Sequence, residues 1–109
     1  MAVNAPFTKS GNTVTFTAAS SPPTPVQAVS TTLGGNQYRI LNAGTVVVFL
    51  GVGSTAAFAT DNAAAVTSTG GAIPLLPGTD EIITFLPNAY FTGYASSSTV
   101  VYITPGDGN

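Results

Sequence analysis

The chain has 109 residues, only 6% of them charged, with a net charge of −2, a sequence pI near 4.2 and a mean hydropathy of +0.38. That length holds one domain. Two basic residues exclude a phosphate-tracking nucleic-acid surface, and the lack of His and Cys removes the commonest general base, thiolate metal sites and disulfides.

Residues 1–12, MAVNAPFTKSGN, read as a polar arm with Phe7 and Lys9 as its anchors; they have neither the basic nor the apolar region of a secretory signal. The next stretch, 13–18 (TVTFTA), alternates, with Val14 and Phe16 on one face and threonines on the other. The three prolines of 20–25 (SSPPTP), Pro22, Pro23 and Pro25, predict a stiff extended loop. A short edge strand over 26–29 precedes a turn at Gly34 and Gly35.

Residues 38–42 (YRILN) put Tyr38 and Ile40 on one face and Arg39 and Leu41 on the other. After a turn at 42–44, residues 45–52 (TVVVFLGV) are apolar on both faces, so something covers both sides: a second sheet plus a loop, or a neighbouring subunit. This run sits in the longest apolar stretch, 43–53, about half of the roughly 20 residues a membrane span needs. From 53 to 71 the Ala, Thr, Ser and Gly text predicts a long loop with a strand near 56–60; a helix around 63–65 has no apolar stripe behind it. Pro74 demotes 72–76 to an edge strand. Strands follow at 81–86, 89–95 and 99–104, the second with Tyr90, Thr92 and Tyr94 on one face, and 105–109 reads as a polar tail.

Seven to nine short strands without a helical period predict an all-β, jelly-roll-like β-sandwich over 13–104, carrying an N-terminal arm and a Pro-rich loop. No catalytic set emerges, and no enzyme, cofactor, metal or small-molecule substrate is expected. Asp80 and Glu81 are adjacent and point to opposite strand faces, so they do not flank one bond. Asp61-Asn62 lacks the alternating oxygen ligands of a Ca²⁺ loop, and Gly70-Gly71 lacks phosphate-loop spacing. Arg39 is expected to pair with a carboxylate of the chain or with an acidic or carbonyl-rich partner. So few charges and so much apolar text leave area to hide against other chains.

The segments QYRILNAGTVVVFLGVG (37–53), GGAIPLLPGTDEIITF (70–85) and AYFTGYASSSTVVYITPGDG (89–108) together carry an R-x-x-N-x-G strand pair, a P-L-x-x-G turn and a closing Y-I-T-P-G-x-G stretch. In this they resemble the cement, or decoration, proteins of podophage-type tailed-bacteriophage capsids, over about two thirds of the chain. The resemblance implies a homotrimer on the outer surface of the virion, made in the bacterial host cytoplasm. Under it the apolar strand 45–52 (Val46, Val48, Leu50) and the aromatic strand 89–95 (Tyr90, Tyr94) meet sister chains about a three-fold axis, the arm (Phe7, Lys9) and the proline loop reach across the shell to bridge major capsid protein subunits, and the protein binds neither nucleic acid nor membrane. A tail or fibre-head receptor-binding β module is the alternative, and a pilus-like or surface-layer subunit a further one.

Overall fold

The computed structural model describes residues 8–30, 36–63 and 72–107. Phe7, Gly34-Gly35 and Gly70-Gly71 lie outside the described residues.

The elements in order are β1 (Thr8–Lys9), β2 (Val14–Ala18), β3 (Val26–Gln27), β4 (Gln37–Asn42), β5 (Val48–Gly53), α1 (Ala56–Asn62), β6 (Ile73–Leu75), β7 (Asp80–Thr84), β8 (Tyr90–Tyr94) and β9 (Thr99–Asp107). Sheet I runs β2-β9-β4-β7, with β1 continuing β2 along the same edge of β9, and sheet II runs β3-β8-β5-β6; every pairing is antiparallel. The pairs are nested, β2 with β9, β3 with β8, β4 with β7 and β5 with β6, so the second half of the chain folds back along the first. That is the strand order of a jelly roll, as the pattern of short alternating strands predicts.

Alternation decides which side chains go inward. Phe16, Ala18, Tyr38, Ile40, Val101 and Ile103 from sheet I meet Val48, Leu50, Val52, Leu75 and Phe91 from sheet II in one buried cluster. A fully buried Leu, Ile or Phe contributes roughly 1.5–3 kcal/mol of transfer free energy, so this layer drives folding. Tyr38 meets Phe91 edge-on, with ring centroids 4.9 Å apart. Its hydroxyl donates to the Leu86 carbonyl and accepts from Ala89 N–H at 3.1 Å, which fixes the β7–β8 turn over the core. Burial pushes the Tyr38 hydroxyl above its ordinary pKa, while the hydrogen bond from Ala89 works the other way.

The expected loop with a strand over 56–60 is instead the helix α1. Thr55 caps it, accepting from Phe58 N–H at 3.2 Å. Its buried Ala59, with Ala63 just beyond its end, lies straight on the outer face of β5 at Gly51 and Gly53. A Cβ on Gly51 would come within 2.2 Å of the Ala59 carbonyl oxygen, so only glycine lets the two backbones approach this closely. Asn62 Nδ2 adds a bond to the Val52 carbonyl at 2.9 Å. A helix held by methyl groups against glycines needs no stripe of large apolar residues, which is why its sequence carries none.

Two expected boundaries also move. The arm predicted over 1–12 is already in the sheet at Thr8 and Lys9, which pair with Asp107 and Gly106. The tail predicted from 105 is the end of β9, with Pro105 fully buried. The Pro105 carbonyl accepts from Ser10 N–H at 2.9 Å. A strand residue points its N–H and C=O to the same neighbour, so the N–H that proline lacks falls on the edge where residues 10–13 interrupt β1 and β2.

Candidate functional site

The predicted contact residues do not form one surface. Val48 and Leu50 are fully buried in the core of the chain itself, and Val46 packs half-buried against it, so the expectation that this strand meets another subunit is corrected. The strand is apolar on both faces because Val48, Leu50 and Val52 face the core while Gly51 and Gly53 face α1.

The proline loop also turns inward. Thr92, on the outer face of β8 and fully buried, donates its hydroxyl to the Pro23 carbonyl at 2.7 Å. Pro22, Pro23 and Pro25 are half-buried, and beyond the end of β2 Ala19 bridges to Tyr94. Tyr90 and Tyr94 flank Thr92 and are half-buried themselves, Tyr94 beside Phe49 with ring centroids 6.0 Å apart. The outer side of sheet II is thus covered largely by α1 and the proline loop. Lys9 is exposed at the opposite sheet's edge, paired through its backbone with Gly106.

The outer side of sheet I is different. Residues directly opposite each other in an antiparallel pair share a face. Leu41 lies opposite Tyr102, and Ile82 lies opposite Arg39, diagonal to Leu41. Leu41, Tyr102 and Ile82 are 37%, 43% and 54% exposed, which makes this face an apolar patch. Around it lie Thr15, opposite Tyr102, and the Thr13 and Thr104 hydroxyls, bonded to each other at 2.7 Å. Arg39 does find a carboxylate of its own chain: Nη2 is 2.7 Å from Asp80 Oδ2, on this same face. The pair is about half exposed, so solvent and salt keep it below about 1 kcal/mol. Its local effect is to leave the patch electrically neutral.

Sequence reasoning placed Arg39 and Leu41 on the face away from Tyr38 and did not nominate Leu41, Ile82 or Tyr102 as contacts. The signal was present: each is a large apolar residue on the strand face that its alternation assigns to the outside.

A fully buried polar residue serves the fold. Asn42 is fully buried, and its Nδ2 donates to the Val46 and Leu75 carbonyls, both at 2.9 Å, while its Oδ1 accepts from Gly44 N–H at 3.0 Å. Its backbone binds the β6–β7 turn twice, donating to Thr79 and accepting from Gly78. The R-x-x-N-x-G motif is therefore a clasp between two loops. Among the described residues no group of three or more His, Cys, Asp or Glu side chains comes together as metal ligands would. No family model, curated protein or solved structure matches this chain.

Proposed function

We propose that this chain is a structural module that works by association: a cement protein, binding the outside of a tailed-bacteriophage capsid as a trimer and holding neighbouring major capsid protein subunits together. The observation that carries this reading is the bare apolar patch of Leu41, Ile82 and Tyr102 on sheet I, in a chain that covers the opposite sheet with its own helix and loop. A patch of this kind on an otherwise threonine-rich face favours contact with another protein surface. Charge poverty supports the same reading, since a net charge of −2 gives little repulsion between copies packed at high density. The resemblance of the 37–53, 70–85 and 89–108 segments to podophage-type decoration proteins supports a capsid as the partner. Many weakly held copies resist shell expansion collectively, because each site engaged on adjacent subunits raises the effective concentration of the next.

The test uses capsids stripped of this protein and then reloaded. Reloaded heads are expected to keep their DNA through heating or osmotic shock that empties bare heads, and a Leu41→Asp/Tyr102→Ser variant with a native far-UV spectrum is expected not to load. Equal DNA retention by bare and reloaded heads would reject the cementing role. Light scattering on the free protein is expected to give three times the 10.9 kDa chain mass.

A further inference from the structure

We infer that α1 is a detachable cover: it lifts off the outer face of β5 as a unit while both sheets stay folded, so the protein alternates between a closed form and an open form in which sheet II is bare at Gly51 and Gly53. This device goes beyond the capsid reading and does not depend on it.

Few interactions hold the closed form. α1 has seven residues, too few to persist alone, since an isolated helix needs roughly 12–15; docking is what keeps it formed. Ala59 is its one buried residue, and Ala63 is buried just beyond its end. Phe58, the only large apolar side chain of the helix, is 56% exposed. Among the described residues one hydrogen bond joins α1 to the sheet, from Asn62 Nδ2 to the Val52 carbonyl at 2.9 Å. The Thr55 cap and the bonds from Ala59 N–H to Thr55 and from Ala63 N–H to Thr60 lie within the helix and its ends. A buried methyl is worth about fourfold in an equilibrium constant and a hydrogen bond about fivefold. Two methyls and one bond therefore favour closure by about a hundredfold, before the ordering of the helix is subtracted.

The open form keeps its own support. β5 stays paired with β6 and β8 along its two edges, and Val48, Leu50 and Val52 on its other face stay in the core, to which α1 contributes no residue. The seam between cover and sheet is sharp. The three atoms nearest to a Cβ built on Gly51 belong to Ala59 and Ala63, and the three nearest to one on Gly53 belong to Ala59 and Phe58, so the helix and its cap are what either side chain would strike. A segment with so little buried apolar contact opens well below the free energy of global unfolding.

Hydrogen exchange on the full-length protein tests the lifting. The Ala59 and Ala63 amides are expected to be about a hundredfold or more less protected than those of Ile40 and Ile103, which lie opposite each other on the two central strands of sheet I. Their protection should change little in dilute urea, because lifting α1 exposes little surface. Alanine wedges test the independence of the sandwich. Gly51→Ala and Gly53→Ala each drive a Cβ into α1, and neither position has the positive φ that would strain an alanine. Once the first wedge has lifted the helix the second meets nothing, so the double variant is expected to match the urea midpoint of the worse single variant instead of adding the two shifts. It should lose helical ellipticity and keep its sheet spectrum. Equal protection of the α1 and strand amides would overturn the inference, and so would additive midpoint shifts. A double variant that does not fold would overturn it too, because the open form must stand by itself. Capsid loading enters none of these readouts, so the two readings fail separately.

Discussion

Replacing Asn42 should unfasten one end of the sandwich. In Asn42→Ala the Val46 and Leu75 carbonyls and Gly44 N–H lose their side-chain partner. Each lost bond is worth about 1 kcal/mol net, and a carbonyl left buried and unpaired adds about 1–3 kcal/mol. The total is about 4–6 kcal/mol, a large share of the 5–15 kcal/mol that holds a typical domain together. For a domain of this size the midpoint should fall by about 15 °C or more, read by far-UV circular dichroism and urea titration because the chain has no Trp. Asn42→Asp refines the test. It keeps an oxygen for Gly44 N–H and turns the donor nitrogen into an acceptor facing two carbonyls. Its carboxyl would therefore have a folded pKa raised above the ordinary value of about 3.9. A raised folded pKa means that the folded protein holds the proton more tightly, so the deficit against wild type is smallest below about pH 3.9 and grows as pH rises. A loss under about 1 kcal/mol for Asn42→Ala, or an Asn42→Asp deficit that does not change with pH, would refute the clasp and reopen the motif to another role.

Gly51→Ala should cost about 1–3 kcal/mol as overpacking, since its Cβ would press on Ala59 and Ala63; a fall in helical ellipticity and urea midpoint checks it. Val48→Asp should abolish folding instead of merely blocking assembly, because it buries a carboxylate in the core; a native-like spectrum would contradict the core assignment. Tyr38→Phe should lose about 1–2 kcal/mol with the bonds at Leu86 and Ala89. In wild type the raised Tyr38 pKa adds a decline in stability that begins near pH 10, where the unfolded tyrosine ionises, and continues up to the folded value; Tyr38→Phe should remove that decline, as urea midpoints across the alkaline range would report.

Strands with one polar face were legible in the sequence because their alternation carries the burial pattern directly. Val14, Phe16 and Ala18 go inward and Thr15 and Thr17 outward, Tyr38 and Ile40 go inward, and Pro74 sits on an edge strand, as their patterns predict. β5 was legible as a doubly covered strand, yet its text does not distinguish a helix of the same chain from a foreign subunit, and Val48 and Leu50 were misplaced for that reason. α1 was missed because glycine-to-alanine contact leaves no periodic signal. Pro105 was read as the start of a tail because a proline in a central strand is normally excluded; only the interruption between β1 and β2 makes room for it. The patch itself was in plain view as apolar residues on outward positions, but which outward positions stay uncovered depends on where the proline loop and α1 settle, and that is a tertiary outcome.

The covering of sheet II by α1 and the proline loop, with sheet I left bare, gives each molecule a top and a bottom. Once Phe58 of α1, itself 56% exposed, is replaced by Ser, copies laid down on a nonpolar support should all land on the sheet I flank, without a tag or a linker to orient them. Nitration would register that landing: Tyr102, 43% exposed beside Leu41, becomes shielded, while Tyr90 and Tyr94 on the other flank keep their solution reactivity. A layer built this way is polar by construction, and anything grafted onto the α1 side would be displayed outward on every copy.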